Sequence, residues 1–108
     1  MKFIEIIHLM TEATRFKILQ LLIERHYCVR AIAKKLDISE SAVSQHMNVL
    51  KNAGLISGSK IGHHMHYLLN RDLLEKLLEQ FSQFLKTTEQ AKELTRECFC
   101  EYECDRKH

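Results

Sequence analysis

The sequence predicts a mainly α-helical fold carrying one small β-hairpin. Three observations predict it. The chain of 108 residues has no proline and only three glycines, so long helices face few breaks. Apolar residues recur at helical spacing through most of its length. The exception is "LISGSKIGHHMHYLL", where two short runs flank Gly62-His63 and read as paired strands.

The elements follow in order. Phe3, Ile4, Ile6, Ile7 and Met10 fit one face of a first helix. Thr11 is placed to cap a second, "EATRFKILQLLIE", with Glu12 in its first turn and Phe16, Leu19, Leu22 and Ile23 along its apolar face. "RHYC" breaks that pattern. "VRAIAKKL" forms a short third helix burying Ile32, Ala33 and Leu36, and "DIS" is a tight turn. The fourth helix is the best signalled. Ser39 is its N-cap, Glu40 follows in the first turn, and Ile38 and Val43 occupy the two positions of a hydrophobic staple. Its buried face is Ala42, Val43, Met47 and Leu50, and it stops at Gly54, a residue suited to the left-handed region. Strands over 56–61 and 64–69 follow, with Gly58 in the position of a bulge. Asn70 caps a last long helix presenting Leu73, Leu74, Leu77, Leu78, Phe81, Phe84 and Leu85, and "KTTEQ" is placed to end it. The chain thus divides into a folded domain over 1–90 and a cysteine-rich acidic tail over 91–108.

A short helix, a turn and a capped helix make a helix-turn-helix, and the hairpin directly after it makes it winged, in the order α-α-α-α-β-β-α. The fourth helix exposes Ser41, Ser44, Gln45, Asn48 and Lys51 opposite its apolar stripe. Gln and Asn side chains pair with adenine edges, and small serines let a helix sit deep in a groove. Lys34, Lys35 and Lys60 add cations, with Arg30 nearby, and His63 stands at the wing tip. His46 is a residue facing either DNA or a neighbouring helix. His64 and His66 share a strand face, a spacing open to a metal pair. The net charge of +2 alone implies no nucleic-acid partner, so the case rests on charge placement.

Together "TRFKILQLL", "SESAVSQHMNVLKNAGLI" and "GHHMHYLLN" resemble the ArsR/SmtB family of bacterial metal- and thiol-responsive repressors, over about residues 3–85. The resemblance implies a homodimer built by the first and last helices. It also implies an inverted-repeat operator in double-stranded DNA, released when an effector binds, with the two reading helices about one DNA turn apart.

The resemblance implies several places for an effector, and each makes its own demand on the residues. A site on the last helix needs His residues, and none lies between His66 and His108. A C-x-C site before the reading helix keeps Cys28, but Arg30 stands at its second position and cannot act as a ligand. A third place implied by the resemblance is the end of the last helix or the segment after it, where some arsenic-sensing members carry clustered thiols. "ECFCEYEC" sets Cys98, Cys100 and Cys104 among carboxylates, and a thiolate cluster suits a soft ion. Trivalent arsenic or antimony takes three sulfurs, and Cd, Pb or Zn accepts a fourth ligand, from Cys28 or from the partner subunit. Neighbouring carboxylates hold the free thiols protonated, and a bound cation reverses that penalty.

Two alternatives stand beside this reading: a redox- or persulfide-driven link between Cys28 and a tail cysteine, and a zinc-stapled interaction module. No Gly-rich phosphate loop or HExxH helix is present, which argues against an enzyme. No apolar run reaches the roughly 18 residues that span a bilayer. The expected location is the cytoplasm, where thiols stay reduced.

Overall fold

A computed structural model of the chain describes residues 2–94, with side chains through residue 89. Among the described residues are five helices and one three-stranded antiparallel sheet. In chain order they are α1 (Phe3–Met10), α2 (Ala13–Glu24), β1 (Tyr27–Cys28), α3 (Val29–Leu36), α4 (Glu40–Asn52), β2 (Ile56–Ile61), β3 (His64–Leu69) and α5 (Arg71–Leu94).

The expected helix order holds, with one strand added. Tyr27 pairs with Tyr67 and Cys28 with His66, so β3 lies between β1 and β2. The break at "RHYC" is therefore a strand entry. Tyr27 turns into the core at 7 % exposure, which anchors this two-residue strand.

The core gathers Ile18, Leu19 and Leu22 of α2, Ile32 and Ala33 of α3, and Val43, Met47 and Leu50 of α4, closed by Leu55 and Ile56. Burying each large side chain here stabilises the fold by about 1.5–3 kcal/mol. Leu19 and Leu22 of the expected α2 stripe are buried, but its other two members are not. Ile18 is inside, whereas Phe16 and Ile23 are exposed. Ile4 of α1 is likewise outside, and Ile6 carries the burial.

Thr11 does not cap α2. Its hydroxyl donates to the carbonyls of Ile7 (2.9 Å) and His8 (3.3 Å), closing α1. Glu12 is the N-cap instead, accepting from the Arg15 backbone N–H at 2.9 Å. The α3–α4 turn passes through Asp37 at φ 55°, a conformation that short polar side chains tolerate. Ser39 then caps α4, its hydroxyl accepting from the Ala42 N–H at 3.0 Å. The far end of α4 is a Schellman closure. Gly54 sits at φ 80°, the Leu55 N–H donates to the Leu50 carbonyl, and the Gly54 N–H donates to the Lys51 carbonyl.

The hairpin turns over Gly62-His63 with Ile61 opposite His64, and only Gly62 has positive φ, as a type II′ turn requires. Gly58 is not a bulge, because the register runs unbroken from Ile56↔Leu69 to Ile61↔His64. A Cβ there would stand 3.1 Å from Met65 Sδ and 3.3 Å from Tyr67 Cε1, so Gly58 makes room for the neighbouring strand's side chains.

Asn70 caps α5, accepting from the Leu73 N–H at 3.3 Å, while its amide donates to the Gly54 carbonyl at 2.8 Å. "KTTEQ" does not end α5. Thr87 and Thr88 return their hydroxyl protons to the carbonyls of Gln83 and Leu85, so both side chains are satisfied within the helix. The helix continues across residue 90, where the sequence reading divides the chain, to Leu94. Leu77 is buried, but Leu78, Phe81, Phe84 and Leu85 are 50–70 % exposed.

Candidate nucleic-acid interface

Val43, Met47 and Leu50 fasten α4 to the core, and this fixes what its opposite side presents. Ser41, Ser44, Gln45 and Asn48 fall three or four residues apart along an exposed stripe, with Lys51 one turn further on. The stripe combines hydroxyl and amide groups with little bulk at its N-terminal end. That end carries the positive pole of the helix dipole, where a phosphate is favoured.

The cations divide by position. Lys34 is exposed on the last turn of α3, and Lys60 is exposed on β2. His63 is exposed at the hairpin turn, and Arg30 is exposed on the first turn of α3. Lys35 lies over the Tyr27 ring, its ammonium 5.9 Å from the ring centre. That distance is near the outer limit of a cation–π contact.

His46 stands apart from the stripe. Its Nδ1 lies 3.4 Å from Arg15 Nη1 and 4.0 Å from Glu12 Oε2, so the ring packs toward the start of α2. Of its two expected surroundings, the structure shows the helix contact. A guanidinium can only donate, so Arg15 is the donor in any hydrogen bond between the two. The same guanidinium donates from Nε to the Leu9 carbonyl at 2.6 Å. The Glu12–Arg15–His46 cluster thus joins the end of α1, the start of α2 and α4. The Glu12 carboxyl is held below its ordinary value, first by the Arg15 backbone N–H, then by that of Thr14, with smaller contributions from the His46 and Arg15 charges. Arg15 and His46 are 31 residues apart, and no local pattern reveals their contact.

The other candidate ligands are dispersed. His64 is exposed and does not meet His66, whose ring contact is with His26. Glu75 pairs with Arg71 on the surface at 3.2 Å, and such a contact is worth only a few tenths of a kcal/mol. Cys28 is partly buried just before α3, and its side chain makes no capping hydrogen bond. Among the described residues, no three His, Cys, Asp or Glu side chains converge on one point. Cys98, Cys100 and Cys104 lie outside the described residues. No helix among the described residues is long and apolar enough to cross a membrane.

Comparison with known proteins places this geometry. Residues 12–58 match the family described as "Bacterial regulatory protein, arsR family". The matched span covers α2 to the start of β2. The "Uncharacterized HTH-type transcriptional regulator YbzH" of Bacillus subtilis (strain 168) is 32 % identical, over 78 % of this chain and 95 % of that protein. The "Transcriptional repressor SdpR" of the same organism is 33 % identical, over 69 % of this chain and 83 % of that protein. A solved structure described as "Possible transcriptional regulator for arsenical resistance" superposes with a TM-score of 0.65 at 31 % identity, covering 82 % of this chain and 95 % of that one. The sequence match, the helix order and the wing agree, and the chain belongs to the ArsR family of bacterial regulatory proteins: it is a DNA-binding winged helix-turn-helix transcriptional regulator, not an enzyme.

Proposed function

We propose that the chain is a homodimeric, cytoplasmic repressor that reads an inverted-repeat operator with α4. It leaves that operator when a soft ion, trivalent arsenic foremost, binds Cys98, Cys100 and Cys104. The observation that carries the DNA-reading part is the exposed stripe of Ser41, Ser44, Gln45 and Asn48 on a helix closed at both ends. A helix held this firmly presents base-pairing groups without a backbone ordering cost at binding. Lys34, Lys51, Lys60 and His63 serve the phosphates on either side, and repression is the action named for the similar SdpR.

The dimer is supported by α5, where Leu78 at 70 % exposure, Phe81, Phe84 and Leu85 form an apolar face continuing past the core. Ile4 of α1 is 66 % exposed and adds to the surface left uncovered in a single chain. Faces of this kind mark association surfaces.

Effector binding is supported by the thiol cluster in the sequence. A similar solved structure carries a description naming arsenical resistance. Antimony, Cd, Pb and Zn share the soft-thiolate chemistry. Cys28 is the next ligand in line.

The test is operator binding by the reduced protein during titration with arsenite. The parent is expected to release DNA, with a coupling of about 1–3 kcal/mol felt equally by the ion and the DNA. A variant carrying Cys98→Ser, Cys100→Ser and Cys104→Ser is expected to bind the operator as the parent does and to ignore arsenite. Release of that variant at the parent's arsenite concentration refutes the tail site. Release by oxidant alone, dependent on Cys28, supports the redox reading instead. Failure of the parent to prefer any DNA sequence refutes operator reading.

A further inference from the structure

We infer that His26 and His66 form a binding site for a borderline divalent transition-metal ion such as Ni(II) or Zn(II), separate from the tail thiols. The two Nδ1 atoms are 2.9 Å apart, across 40 positions of sequence. The ring centres are 4.9 Å apart, with the planes at 68°. A cation held about 2.05 Å from each of two imidazole nitrogens, at an angle of about 90–110°, sets those nitrogens about 2.9–3.4 Å apart and the ring centres about 4.5–5.2 Å apart. Both observed separations fall in these intervals.

The same nitrogen separation also suits a single N–H···N hydrogen bond. In that arrangement one Nδ1 keeps a proton. When both rings carry their proton on Nε2, two lone pairs meet, and a cation takes the place of the shared proton. Imidazole is a good donor for Ni and Zn, whereas a trivalent arsenic centre seeks sulfur. The two sites therefore differ in chemistry as well as position.

The backbone explains why the rings meet. Cys28 is the cross-strand partner of His66, and His26 stands two positions before Cys28. Tyr27, between them, turns into the core, so the alternation sends its neighbours to the outer face of the sheet. Cys28, the cross-strand partner of His66, is a further donor on this face, although it does not converge with the two rings. Water completes the coordination. A bound ion would tie the wing strand β3 to the chain entering β1.

The experiment uses the full-length chain carrying Cys98→Ser, Cys100→Ser and Cys104→Ser, so that tail thiols do not compete. Ni(II) and Zn(II) are titrated against a chromophoric chelator, and the imidazole nitrogens are followed by NMR. One ion per chain is expected, with the Nδ1 signals of His26 and His66 displaced. His26→Gln and His66→Gln should each weaken binding at least tenfold, and His64→Gln less than twofold. His26 is exposed, so its replacement leaves the core intact, and it decides the matter if the His66 variant folds poorly. Parent affinity in His26→Gln, an equal loss in His64→Gln, or unmoved Nδ1 signals would each overturn the site and leave a hydrogen-bonded pair.

Discussion

Replacing Asn70 with alanine removes two bonds at once and leaves the apolar core untouched. The side-chain oxygen accepts from the Leu73 N–H, and the amide donates to the Gly54 carbonyl. The backbone N–H of Asn70 still donates to the Leu55 carbonyl at 2.8 Å, so the chain keeps its path. Losing an N-cap to alanine costs about 1 kcal/mol. Losing the bond to Gly54 adds about 0.5–1 kcal/mol, at the low end because water reaches the freed carbonyl. The expected loss for Asn70→Ala is therefore about 1.5–2 kcal/mol. Asn70→Asp keeps an acceptor for Leu73, favoured by the helix dipole, but faces the Gly54 carbonyl with oxygen. It should recover about half of the loss. Urea unfolding at one fixed protein concentration measures all three, since association also shifts apparent stability. The slope should not change. An alanine variant within about 0.5 kcal/mol of the parent, or an aspartate variant below it, refutes the assignment of the cap and the tie.

Gln45→Ala should weaken operator binding by about 1–3 kcal/mol and relax sequence preference, while Lys60→Ala should weaken operator and random DNA alike and lower the salt slope by about 1. Equal losses on both DNAs for Gln45→Ala would remove it from base reading. Leu78→Glu should cost a single chain little, because the side chain is 70 % exposed there, yet should dissociate a dimer that buries it; sedimentation of the parent as a stable monomer ends this expectation. The Glu12 carboxyl titrates below the ordinary glutamate value of 4.5, so its contribution is present above that pH and is lost as pH falls through the lower folded value. The urea midpoint of the parent should therefore fall more on acidification from pH 6 to pH 3 than that of Glu12→Gln, and parallel curves would discount the cap.

What could be read from the sequence was what local chemistry decides. Ser39, the Ile38–Val43 pair and Gly54 each act within a few residues, and the ends of α4 lie where these signals put them. The hairpin follows from Gly62 and the flanking alternation. What stayed hidden depends on partners far away in the chain. Two residues cannot show strand periodicity, so β1 appears only once β3 lies beside it. Thr11 and Glu12 are both capable caps, and the choice fell to Glu12 because Thr11 is engaged with α1. Gly58 suits a bulge by type, but it sits in regular pairing, crowded by the side chains of Met65 and Tyr67. The stripe of α4 was legible because its apolar half was legible. The turning of His46 toward Arg15 was not, since nothing near either residue encodes it.

The pairing of β3 with Tyr27 and Cys28 changes what kind of object the wing is. A hairpin attached only at its base would swing about residues 55 and 70 and adapt to the DNA beneath it. Here the inner strand is stitched on both edges, and one of those edges leads directly into α3. That helix packs against α4, so the base of the wing is joined to the reading helix through α3. In the proposed dimer, operators of different spacing would then call for moving one subunit against the other. In that proposed dimer, an effector that altered the pairing of subunits would act on both reading helices and both wings at once.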